Sequence, residues 1–242
     1  MPQVASGLGY GILILAVLYF AYLILFGGYT NDEKKRLLVI FWLFLLAAVF
    51  WSGFEQAGSS MNLFADRLTD RVVFGMEVPT TWLQSVNPLF IILLAPVFGS
   101  LWVRLGSKNP SISAKFTYGL LMLGLGFLVL AWGATFATDG GRVSPMWLIV
   151  TYFFHTTGEL CLSPVGLSSI TKLSPKRLVG QMMGIWFIAA ALGNLFAGLV
   201  AGRLEELAPD ALFWSVALTM SAAGVIAILA SPLIRRWVGD VH

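Results

Sequence analysis

The chain reads as an all-α, polytopic membrane protein with seven transmembrane helices, one peripheral helix followed by a six-helix bundle. Three observations predict this. First, the 242 residues are 58% hydrophobic and only 11% charged, with a mean hydropathy of +0.84. A soluble domain carries ~25% charged residues. Second, seven stretches reach the ~20 mainly apolar residues that a helix needs to cross a bilayer. Third, positive charge alternates between the connections. Eleven of the 15 Lys and Arg residues fall after spans 1, 3 and 5 and in the tail, and only Arg67, Arg71, Arg142 and Arg203 fall on the opposite side. The positive-inside rule then places the C-terminus in the cytoplasm and the N-terminus outside. The net charge of +3 is thus a matter of topology and gives no reason to expect a nucleic-acid partner.

The spans follow in order as Leu8–Gly28, Leu37–Phe64, Trp82–Val103, Phe116–Ala137, Pro145–Thr171, Leu178–Gly202 and Ala211–Ile234. Span 1 carries no polar residue beyond Ser, Tyr and Gly, and the charged run Asn31–Arg36 separates it from the rest. It is expected to be peripheral: residues 1–28 as a linker helix, 29–36 as a cytoplasmic loop and 37–242 as the six-helix bundle. Six spans suit a transporter half, two three-helix repeats of inverted topology around a midplane site. Gly7-x-x-x-Gly11, Gly180-x-x-x-Gly184 and Gly198-x-x-x-Gly202 are expected to pack closely against neighbouring helices. Span 3 holds Asn87-Pro88 and Pro96, and span 5 holds Ser163-Pro164. A proline in a membrane helix frees a carbonyl and kinks the axis. The single Cys161 lies inside span 5 and cannot form an internal disulfide. The N-terminal residues lack the basic region of a signal peptide, and span 1 is too long for its apolar core. An outside N-terminus without an export signal is expected of a segment of a longer polytopic chain.

Two carboxylates, Glu55 and Glu159, interrupt otherwise charge-free spans. A charge in hydrocarbon costs at least ~2.5–3.5 kcal/mol, so an intramembrane acid marks a functional site by default. Glu55 lies 18 residues beyond Leu37, or ~27 Å along a helix, in the outer half of the bilayer. Trp51, Phe54, Glu55, Gly58, Ser59 and Asn62 follow 3–4 spacing and share one face. That face is either a ligand surface or an interhelical contact satisfying the acid. Glu159 falls ~20 Å from either end of span 5, at the midplane. His155 and Ser163 stand four residues to either side of it. A carboxylate there binds a cationic group or relays protons; His155 alone reads more readily as a hydrogen-bonded wall residue. Asn87 either contacts a ligand or satisfies the carbonyl freed by Pro88. Trp186 is deep enough to line a midplane cavity, and Asn194 reads as a buried amide joining helices.

At Phe54-Glu55-Gln56-Ala57-Gly58-Ser59-Ser60 the chain resembles the seventh transmembrane helix of the proton-dependent oligopeptide transporters, a family of the major facilitator superfamily. Gln84–Pro88 resembles helix eight, Thr157–Ser168 helix ten, and Gly184–Phe187 with Gly193-Asn194 helix eleven. The ordered motifs cover Leu37 to Ile234, the carboxy-terminal half, with span 1 similar to the second linker helix of bacterial members. The resemblance implies a symporter of di- and tripeptides in a bacterial inner membrane, with the proton as coupling ion and no other cofactor. It implies proton coupling at Glu55 and capture of the peptide amino group at Glu159. Ser163 and Asn87 would add polar contacts, and Trp51, Phe54 and Trp186 would wall the side-chain pocket. The amino-terminal half, with its basic residues for the peptide carboxylate, would be the partner.

Other classes fit less well. Retinal chemistry needs an intramembrane lysine, and the spans contain none. A metalloenzyme needs three or more clustered ligands, and His155 with Glu159 supplies two, so neither a metal nor an enzymatic activity is expected. The remaining alternatives are a non-transporting fragment or scaffold, and a major-facilitator transporter of another small solute.

Overall fold

The computed structural model describes residues 2–137, 141–202 and 208–238, with the side chains of 2–5 outside that description. Arg203, counted above in the charge asymmetry, also lies outside the described residues. Helix α1 runs Pro2–Phe26. Gly27 and Gly28 follow, and Gly28 adopts φ 66°, a left-handed conformation that glycine enters without a side-chain clash. The chain thereby reverses into α2, Asn31–Phe54. Thr30 opens α2 with a capping box: its backbone N–H donates to the Glu33 carboxylate at 2.9 Å, and its hydroxyl accepts from the Glu33 N–H at 3.3 Å.

Span 2 was expected to be continuous and is broken. A 3₁₀ turn occupies Glu55–Gly58, Ser59 takes φ −126°, ψ −95°, and α3 restarts at Ser60–Arg67. Outside α3, the short strands β1 (Val72–Val73) and β2 (Met76–Glu77) pair antiparallel. Arg71 pins this hairpin, bridging to Asp66 at 3.3 Å and Glu77 at 2.8 Å and donating to the Val78 carbonyl at 2.9 Å. Span 3 also divides, into α4 (Thr80–Gln84) and α5 (Val86–Leu105). Pro88 therefore falls in the first turn of α5, where its missing N–H has no intrahelical acceptor to lose. The kink expected there is a helix start instead.

The remaining helices are α6 (Ile112–Thr135), α7 (Met146–Leu173), α8 (Val179–Ala201) and α9 (Pro209–Val238). Helix α6 packs on α7 and α9, α2 on α8 and α9, and α1 on the flank of α8. The core is aromatic, with Phe44, Phe50, Phe116, Phe127 and Phe213 fully buried. Among the described residues, six helical segments are long and apolar enough to cross a membrane. The seventh expected span is α7, 28 residues long. Thr151, His155, Thr156, Thr157 and Glu159 make it less apolar, and it is shielded by packing on α5, α6 and α2.

The glycine pairs correct the expectation drawn from their spacing. A Cβ built on Gly7, Gly11, Gly180, Gly184, Gly198 or Gly202 meets nothing within 4 Å. Other glycines make the tight crossings. A Cβ on Gly158 would stand 2.6 Å from the Gly119 carbonyl, and one on Gly193 would stand 2.8 Å from the Ala48 carbonyl. Spacing shows that a helix has a narrow face; which way the face points is decided by how the whole helix packs.

Candidate functional site

The break in α2 sets Glu55 at its C-terminal end, half-buried. Backbone irregularity at membrane depth needs internal hydrogen-bond partners, and Gln56 supplies them. Its side chain is fully buried. Nε2 donates to the Ser52 and Ala197 carbonyls, each at 3.2 Å, and Oε1 accepts from the Ser60 hydroxyl at 2.5 Å and the Ser59 hydroxyl at 3.3 Å. One amide thus ties the end of α2, the start of α3 and the wall of α8 together. Glu55, its neighbour in the chain, is half-buried with its carboxylate near Asn194 of α8.

Glu159 stands half-buried on α7. Asn87, the second residue of α5, donates Nδ2 to Thr156 Oγ1 at 2.9 Å and reaches Glu159 Oε2 at 3.5 Å. The Thr156 hydroxyl donates in turn to the Tyr152 carbonyl at 2.8 Å. The Asn87 amide is thus directed to the α7 acid rather than to a carbonyl freed by Pro88. Among the described residues neither Glu55 nor Glu159 forms an ion pair, and no group of three or more His, Cys, Asp or Glu stands ready to hold a metal.

Trp51 and Phe54 pack edge to face, ring centroids 5.3 Å apart, and both are half-buried. Phe54 also meets His155 at 6.4 Å. His155 itself is sunk between α6 and α7, its ring 4.6 Å from that of Phe127 and against Gly126. It is a packed wall residue, and its Nε2 has no hydrogen-bond partner. Ser163 is half-buried one turn beyond Glu159. Trp186 is buried, where Trp51, Phe54 and Ser163 are half-buried. It is 4% exposed, fills the space left by the missing side chain of Gly166, and meets Phe116 edge to face at 6.4 Å.

Asn194, expected as a buried amide, is exposed. The end of its amide nearest α2 lies 3.2 Å from Glu55 Oε1 and 3.1 Å from Oε2, donating to both when that end is Nδ2. The sequence signal was present, an amide in a helix of small and apolar residues, but its partner on α2 was not legible. Gln56 was missed as well, although an amide beside an intramembrane acid at a Gly- and Ser-rich step is the chemistry a broken helix needs.

The fold and the paired acids define a polytopic membrane protein with a polar site between its helices. The chain belongs to the POT family, whose model matches residues 15–214. It is 46% identical over 242 residues to the peptide transporter YePEPT of Yersinia enterocolitica, an alignment covering 96% of this chain and 47% of that protein. It is 31% identical to dipeptide and tripeptide permease A of Escherichia coli K12, covering 94% and 48%. Among solved structures, a glutamate-to-glutamine mutant of a peptide transporter in complex with alafosfalin superposes with TM-score 0.88 at 36% identity, covering 98% of this chain and 48% of that one. A POT family transporter in complex with 5-aminolevulinic acid superposes with TM-score 0.87 at 30% identity, covering 96% and 48%. The chain spans about half the length of the relatives it matches. They are named as transporters and permeases, not enzymes.

Proposed function

We propose that this chain is the carboxy-terminal half of a proton-coupled symporter of di- and tripeptides, with Glu159 binding the peptide amino group and Glu55 carrying the coupling proton. One observation supports the reading above others. Two half-buried acids stand on facing helices, each beside an amide and neither with a cation among the described residues. A buried charge needs a partner, and a cation from outside the described residues would supply it. A peptide ammonium suits Glu159, and a basic side chain of an amino-terminal six-helix half suits Glu55.

Around Glu159, Asn87 and Ser163 supply polar contacts, and Trp51 and Phe54 wall the cavity. Trp186 backs that wall from the interior. The ligands of the solved relatives fit such a site, because alafosfalin and 5-aminolevulinic acid both carry a free amino group and an acidic group. Residues 1–28 form a linker helix beside the bundle of 37–242. The protein lies in a bacterial inner membrane with its N-terminus outside and its C-terminus in the cytoplasm, an orientation that the charge asymmetry supports.

The test is Glu159→Gln in a transporter completed by an amino-terminal half. A charge-assisted hydrogen bond contributes ~1.5–3 kcal/mol, so binding of free peptides should weaken roughly ten- to hundredfold. Peptides with a blocked amino group should lose far less. Equal losses would assign Glu159 a structural role. A second reading, a fragment that does not transport, is favoured by the half-length coverage. Peptide uptake restored by adding the amino-terminal half would remove it.

A further inference from the structure

We propose that Asn194 is the positioning residue that holds Glu55 in both of its protonation states by presenting either end of its amide. The inference rests on the reading of Glu55 as the proton carrier. Its ground is the crossing of α8 over α2. A Cβ on Gly193 would lie 2.5 Å from Trp51 Cβ, 2.8 Å from the Ala48 carbonyl and 2.9 Å from the Ser52 nitrogen. Only glycine permits this approach, and it carries the next residue, Asn194, onto the open face within reach of both Glu55 oxygens at 3.2 and 3.1 Å.

The chemistry follows from the donor and acceptor inventory. An ionised carboxylate only accepts, whereas a carboxylic acid has one O–H to donate. An amide offers NH2 donors at one end and a carbonyl acceptor at the other, exchanged by a half turn of the last torsion. With Nδ2 toward α2, Asn194 donates to the carboxylate; with Oδ1 toward α2, it accepts the O–H of the acid. A lysine or arginine there has donors only, so it could not accept the O–H of the acid.

The surroundings leave this task to Asn194. From α7, the titratable groups are Glu159, which Asn87 of α5 reaches at 3.5 Å, and His155, which is buried behind Phe54. Described α8 carries no charged residue, and those of α2, α6 and α9 otherwise sit at helix ends. Because the amide is neutral and matches either form, Glu55 can gain and lose a proton without losing its contact to α8.

Infrared difference spectroscopy of the reconstituted chain between acid and alkaline pH tests this. The Glu55 signals are assigned by their loss in Glu55→Gln. Asn194→Leu, and Asn194→Ala as a second variant should leucine impair folding, should shift both the O–H stretch of protonated Glu55, which reports the amide's acceptor end, and the stretches of its carboxylate, which report its donor end. A merely structural Asn194 would move neither, and a one-sided partner would move one. Either of those results overturns the inference while leaving a titrating Glu55 intact. If Glu55→Gln removes no titrating signal, the proton-carrier reading fails and the inference fails with it.

Discussion

Replacing Gln56 by leucine should destabilise the bundle by about 2–4 kcal/mol while leaving Glu55 and Glu159 untouched in sequence. The size follows from what the side chain does. Without its Oε1, the buried Ser60 hydroxyl, now 2.5 Å from it, has no acceptor. An unsatisfied buried group costs ~1–3 kcal/mol. The interhelical donation to the Ala197 carbonyl adds ~0.6 kcal/mol on the membrane scale, and the local donation to the Ser52 carbonyl adds ~0.5 kcal/mol. The 3.3 Å contact with Ser59 adds little. Leucine has nearly the volume of glutamine, so no cavity accompanies the change. Reversible unfolding in mixed micelles measures the loss, and a double-mutant cycle with Ser60→Ala isolates the mechanism. Ser60→Ala should be destabilising in the parent chain and nearly neutral beside Gln56→Leu. A Gln56→Leu chain within about 0.5 kcal/mol of the parent, below the cost of a single unsatisfied buried group, would refute the claim that this amide holds the break. So would full additivity in the cycle.

Gly193→Ala should cost about 1–3 kcal/mol, since its methyl would meet backbone atoms of α2 that cannot yield. Gly184→Ala in the same chain should be neutral or slightly stabilising because nothing stands within 4 Å; equal effects of the two in thermal unfolding would contradict the crossing described. Glu55→Gln, in a transporter completed by an amino-terminal half, should abolish gradient-driven peptide accumulation while leaving peptide exchange largely intact, and accumulation by that mutant would exclude Glu55 as the coupling acid. Cysteines placed at Lys34–Arg36, Lys108–Lys115 or Lys172–Arg177 should resist an impermeant label added outside intact cells, and one near Arg142 should react. The opposite pattern would invert the topology.

Much of the site was readable because the bilayer makes polar residues costly. Glu55, Glu159 and Asn87 stood out from apolar spans for that reason, and the structure sets Glu159 and Asn87 side by side. The glycine pairs misled for a reason equally physical. A small-x-x-x-small pattern reports only that one face is narrow, and α8 turns the faces of Gly180, Gly184 and Gly198 away from the other described helices. Gln56 was missed, and the partner that Asn194 joins to α8 was not legible, because each acts on an element distant in sequence. Gln56 reaches Ala197, 141 residues on, and no local periodicity encodes that distance.

The amino-acid sequence by itself determined the class, the span order and the two acids. Those depend on composition and on the cost of charge in hydrocarbon, which operate residue by residue. Tertiary structure decided where α2 breaks, that Pro88 starts a helix, that Trp186 is interior, and that Asn194 faces Glu55. Each of these depends on which two helices touch and at what height. In hydrocarbon that is settled by backbone approach at glycines such as Gly193 and Gly158, and by hydrogen bonds between helices, since apolar surface gains little there by choosing a helix over a lipid chain.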